Sequence, residues 1–65
     1  MIQINGKPLD GFADKTVAAL LEAQGFKPER VAVERNGAIV RRADFGTVTL
    51  ADDDKIEIVH FVGGG

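Results

Sequence analysis

Two Asn-Gly pairs constrain this chain more than any other feature. Asn5-Gly6 and Asn36-Gly37 each sit between short runs of alternating apolar residues. A two-residue hairpin of type I′ needs positive φ at both central positions, and Asn-Gly tolerates that best. The chain is therefore committed to two antiparallel hairpins. In the first, residues 1–5 alternate with Ile2 and Ile4 on one face, and residues 7–12 return with Leu9 toward the core. Pro8 confines that second strand to an edge or a strand start, because it has no N–H for a ladder. In the second hairpin, residues 31–35 place Val31 and Val33 in one direction, and residues 38–40 form the returning arm.

One clear helix lies between the hairpins. Thr16 is placed to cap it, and Val17, Leu20 and Leu21 share a face, with Ala18, Ala19 and Ala23 adding propensity. Gly25 suits the left-handed position after the helix and Phe26 the apolar contact beyond it, while Pro28 prevents continuation. Residues 41–45 read as a loop or single turn, with Phe45 plugging the bottom of the core. Val48 and Leu50 then alternate with Thr47 and Thr49 in a short strand, and Asp52-Asp53-Asp54 makes a solvated turn. The last strand starts at Lys55, with Ile56 and Ile58 on one face and Glu57, Val59 and Phe61 on the other. This order gives an α+β, two-layer domain over residues 1–62, in which one helix covers one face of a sheet of four or five strands.

A chain of 65 residues buries only about 60% of the surface its unfolded form exposes. With no cysteine to staple it, the core holds by packing, for which the 45% hydrophobic content supplies the material. Lack of cysteine fits a reducing compartment such as the cytoplasm. It also means that this chain cannot carry sulfur as a thiolate or persulfide. Together with a single histidine, it argues against a zinc or other three-ligand metal site. No stretch approaches the ~20 apolar residues of a membrane span, and no signal peptide opens the chain. A net charge of −2 makes nucleic acid a poor partner and a basic protein surface a natural one.

After Val62 come Gly63, Gly64 and Gly65. On its own such an end reads equally well as a frayed terminus or as a working tail. Glycine lacks Cβ, so the segment can slide through a narrow channel, and three extended residues reach about 10 Å. That is enough to put the Gly65 carboxylate into another protein's site. Val59, His60, Phe61 and Val62 lie at the base of this tail. Exposed apolar residues there suggest a protein-binding surface; the alternative is a second small cluster beneath residues 41–45. Other candidates carry less. The Asp52–Asp54 run lacks the twelve-residue spacing of a calcium loop. His60 has no Cys or Ser with which to build a triad. Arg41 and Arg42 are two basic residues in a loop, and Gly6, Gly37 and Gly46 stand singly, with no phosphate loop before the helix.

Several segments together resemble a known family. They are Ile4-Asn5-Gly6, the Thr16-Val17 helix start, Val31-Ala32-Val33-Glu34-Arg35-Asn36-Gly37, Ile39-Val40-Arg41-Arg42, and above all Ile56-Glu57-Ile58-Val59-His60-Phe61-Val62-Gly63-Gly64-Gly65. The whole chain is similar to the sulfur carriers of thiamine biosynthesis, the ThiS family, within the ubiquitin-like β-grasp fold. That resemblance implies a mixed sheet with one main helix packed on one face. It implies a carrier, not an enzyme: an E1-like enzyme uses ATP to adenylate the Gly65 carboxylate. A sulfur donor such as a cysteine desulfurase then converts it to a thiocarboxylate, and a thiazole synthase takes the sulfur. No cofactor is bound by the chain itself, and the cargo sits on a terminal carbonyl, so cysteine is not needed. The sequence departs from many relatives in having Asp53-Asp54 where they have Gly-Asp, and in the extra Gly63. Within the same fold, a molybdopterin synthase small subunit or a ubiquitin-like protein modifier is the alternative.

Overall fold

The computed structural model describes residues 1–61. Val62 and the glycines Gly63, Gly64 and Gly65 lie outside the described residues. The strands are β1 (Ile2–Ile4), β2 (Lys7–Leu9), β3 (Val31–Arg35), β4 (Ala38–Val40) and β5 (Lys55–His60), with one α-helix, α1 (Val17–Ala23). Single 3₁₀ turns cover Pro28–Arg30 and Arg42–Asp44.

Both Asn-Gly pairs do what their chemistry demands. Asn5 and Gly6 have φ of 49° and 83°, and Asn36 and Gly37 have φ of 53° and 86°, the doubly positive pattern of a type I′ turn. The hairpins β1–β2 and β3–β4 follow, both antiparallel. Pro8 sits in β2, which is an edge strand, as the missing N–H requires. That strand stops at Leu9 rather than running to Phe12, because Gly11 turns the chain with φ of 92°. Phe12 still packs against the core from its loop.

The helix is closed at both ends. The Thr16 hydroxyl accepts from the Ala19 N–H at 3.0 Å. The Val17 and Ala18 N–H groups donate to the Val48 and Phe45 carbonyls at 3.0 and 2.8 Å, so the free donors of the first turn find partners. At the other end Gly25 takes φ of 80°. The Phe26 N–H donates to Leu21 O at 2.9 Å and the Gly25 N–H to Glu22 O at 3.1 Å, the paired bonds of a Schellman ending.

The sheet order is β2-β1-β5-β3-β4, with β1 and β5 parallel and every other pair antiparallel. The last strand is therefore the central one. Across one face lies α1, and the core between them is Ile2, Val17, Leu20, Leu21, Val31, Val33, Phe45, Leu50, Ile56 and Ile58. Each such side chain contributes about 1.5–3 kcal/mol by leaving water. Phe45 plugs this core from its turn, being 5% exposed.

The short strand expected around Val48 and Leu50 does not form. Only an isolated bridge joins Thr49 to Thr16. This segment bonds to the approach to the helix: Leu50 N–H to Lys15 O and Asp14 N–H to Leu50 O, both at 2.8 Å. Residues beyond Thr16 are committed to α1, so a ladder there has no room to lengthen.

Candidate functional site

Burial along β5 alternates. Ile56 and Ile58 point to the helix at 1% and 6% exposure, while Val59 is 60% and Phe61 57% exposed on the outer face. The register puts Val59 opposite Ala32 and Glu57 opposite Glu34, with Ile39 of β4 on the far side of Glu34. Ile39 is 66% exposed. The outer face thus carries Ala32, Ile39, Val59 and Phe61 around two facing glutamates. Val59 and Phe61 do not form a second cluster beneath residues 41–45, since they are exposed and Phe45 belongs to the main core. Reading β5 alone missed Ile39, Ala32 and Glu34. The alternation of β4 marks Ile39 as facing away from Val40, but only the pairing brings it beside β5.

Like charges opposed across a ladder weaken a sheet, and among the described residues neither Glu34 nor Glu57 enters an ion pair. Such a pair inside an apolar patch is what a basic, partly apolar partner surface would relieve.

His60 lies on the other side of the strand from Val59 and Phe61. It shares the helix-facing direction of Ile56 and Ile58, and its ring meets Phe26 edge-on at 5.5 Å between centroids, 74° between planes. The four residues grouped by sequence at the tail's base are thus split: Val59 and Phe61 outward, His60 toward Phe26, and Val62 outside the described residues.

Side chains from both hairpin turns pin β5. Asn5 Oδ1 accepts from the Ile58 N–H at 2.8 Å, and its Nδ2 donates to Ile58 O at 3.3 Å. Asn36 Oδ1 accepts from the Lys55 N–H at 2.9 Å. The same Asn36 donates from Nδ2 to Asp54 Oδ1 at 2.9 Å, and Asp54 Oδ2 accepts from Arg35 Nε and the Ala51 N–H, both at 2.8 Å. Asp54 is 5% exposed. It is a buried anchor and not part of a solvated turn, which also removes it from any acidic surface. Burial pushes its carboxyl up, but the Ala51 N–H, the Asn36 amide and the Arg35 guanidinium together outweigh that and hold it below the ordinary carboxylate value. Asp53 takes φ of 71°, so the turn keeps a left-handed residue despite lacking glycine.

Among the described residues no three histidine, aspartate or glutamate side chains gather as metal ligands. No helix among them is long and apolar enough to cross a membrane. Arg41 and Arg42 are exposed.

A mixed five-stranded sheet with its last strand central and one helix held across one face is the ubiquitin-like β-grasp fold. A crystal structure of the thiamine biosynthesis protein ThiS from Geobacter metallireducens is 37% identical, with a TM-score of 0.80 over 98% of this chain and 97% of that one. Residues 2–65 match the ThiS family, and the chain belongs to it. The sulfur carrier protein ThiS of Bacillus subtilis is 44% identical over 66 residues, covering all of both chains. A thiazole synthase of Magnetococcus marinus is 53% identical over 64 residues, 98% of this chain. The chain spans only about a fifth of that relative, and of a similar thiazole synthase of Paramagnetospirillum magneticum, at 20% and 19%.

Proposed function

We propose that this chain is a sulfur carrier of thiamine biosynthesis, acting as a co-substrate in the cytoplasm and catalysing nothing itself. The observation that carries this reading is the end-to-end likeness to the Bacillus subtilis carrier. The apolar outer face beside the last strand supports it by offering a place to dock.

The working atom is the Gly65 carboxylate. A carboxylate resists nucleophiles because of its charge and resonance. An E1-like enzyme removes that resistance: a carboxylate oxygen attacks the α-phosphorus of ATP, pyrophosphate leaves, and an acyl-adenylate remains. The terminal sulfur of a donor persulfide, as on a cysteine desulfurase, attacks the acyl carbon and AMP departs. A thiol then cleaves the sulfur–sulfur bond of that adduct, leaving a thiocarboxylate on Gly65 and a disulfide elsewhere. The thiocarboxylate sulfur is the nucleophile offered to a thiazole synthase. Two relatives that are thiazole synthases containing a stretch like this chain support that partner.

The folded body contributes position. Val59, Phe61 and Ile39 supply apolar contact, Glu34 and Glu57 select a basic surface, and docking converts an encounter between carboxylate and ATP into a local one. His60 and Val62 stand at the tail's base, and Gly63 and Gly64 carry the carboxylate inward with no side chain to obstruct it.

Intact mass tests this directly. After incubation with an activating enzyme, ATP and a persulfide donor, one oxygen of the terminus should be exchanged for sulfur, about 16 Da heavier. The product is then offered separately to a thiazole synthase and to a molybdopterin synthase large subunit, and sulfur should pass to the first. An unmodified Gly65 with a competent activating enzyme refutes the carrier reading, and transfer only to the second refutes the pathway.

A further inference from the structure

The end of β5 is held less firmly than its beginning. Strand β1 pairs with β5 only through Gln3–Lys55 and Ile4–Ile56, and then turns away at Asn5-Gly6. The Asn5 amide takes over for one more step, closing Ile58. The β3 register alternates, and Phe61 donates its N–H toward β3, to Arg30 O at 2.9 Å. By that alternation the His60 N–H and C=O face the side that β1 has left. Beyond Ile58, therefore, β5 is laddered along one edge only. What touches it on the helix side is the edge-on Phe26 ring against His60. Phe26 is itself fixed, because its N–H closes the Schellman ending of α1 on Leu21 O.

We propose that Phe26 is a positioning residue for the tail, acting through His60. The rigid end of α1 clasps the end of β5, so that His60 and Phe61, from which the tail departs, are held in place while the outer face docks. The idea rests on the carrier reading for its functional half. The Val59 and Ile39 parts of the docking surface lie on the opposite face, away from Phe26, so losing the clasp leaves association largely intact. It lowers the fraction of docked molecules whose carboxylate points at the ATP.

The test uses the full chain with its activating enzyme and ATP, following pyrophosphate release, together with hydrogen exchange at the Phe61 amide. Phe26→Leu keeps the apolar contact on the core and removes the aromatic edge. An aromatic pair of this kind is worth about a three- to tenfold change. Phe26→Leu is expected to lower kcat by about that factor with KM changed by much less, and to speed Phe61 exchange by a similar factor. Phe26→Tyr, which keeps the ring, restores both values. In a His60→Ala background Phe26→Leu has no added effect. A lower Tm with kcat and Phe61 exchange unchanged overturns the proposal, as does an undiminished Phe26→Leu effect in the His60→Ala chain. If the unaltered chain releases no pyrophosphate, the carrier reading fails. Phe61 exchange in Phe26→Leu then still decides whether the clasp exists, and unchanged protection refutes it.

Discussion

Asp54→Asn is nearly isosteric, yet the geometry predicts a large loss. All three groups around the carboxylate are donors: Arg35 Nε and the Ala51 N–H on one oxygen and Asn36 Nδ2 on the other. An asparagine has one oxygen to offer and must turn its own NH₂ toward a donor. Asn36 cannot flip to accommodate it without surrendering its Oδ1 contact with the Lys55 N–H. One charge-assisted bond is lost and one buried donor is left opposed, which together cost roughly 2–3 kcal/mol. For a chain this size the whole stability is roughly 3–10 kcal/mol. The Tm should fall by roughly 10–20 °C. The pH dependence has a definite sign. Folding holds the carboxyl below its ordinary value of 3.8, so the native state binds fewer protons than the unfolded chain in the interval below that value. The Asp54 contribution is complete above about pH 5 and is lost as pH falls through the folded value. Urea unfolding at several pH values should show stability declining with acid in the unaltered chain, with a shallower decline in Asp54→Asn. A loss under about 0.5 kcal/mol at neutral pH, the ordinary range for a surface substitution, would refute the account of a donor-saturated anchor.

Three further outcomes follow from particular contacts. Phe61→Asp and Val59→Asp put a carboxylate into the apolar part of the outer face, and should weaken binding to an activating enzyme at least about tenfold in titration calorimetry while Tm moves little. Thr16→Ala removes the side-chain cap bond at the start of α1 and should cost about 1 kcal/mol in denaturant unfolding. Asp53→Gly relieves a left-handed residue at φ of 71° and should leave the fold unchanged while raising stability by about 0.5–1 kcal/mol. A decrease there would mean that the Asp53 side chain makes a compensating contact.

What the sequence determined by itself was local. Positive φ at Asn5-Gly6 and Asn36-Gly37, the Thr16 cap, the Gly25 ending and the alternation of β5 each follow from a few neighbouring residues, because steric limits and side-chain period act over that range. The tertiary structure decided what those pieces face. The parallel pairing of β1 with β5, and with it the central place of the last strand, depends on residues some fifty positions apart, and nothing local encodes it. Asp54 looked like one of three solvated aspartates until Arg35 and Asn36 were brought around it. Val48 and Leu50 alternate as a strand does, yet Leu50 bonds to Asp14 and Lys15 just before the helix and Val48 to the first helical residue, Val17, where a ladder has to stop. Ile39 and Glu34 joined the outer face beside β5 for the same reason: register across strands, and not sequence spacing, sets which side chains share a surface.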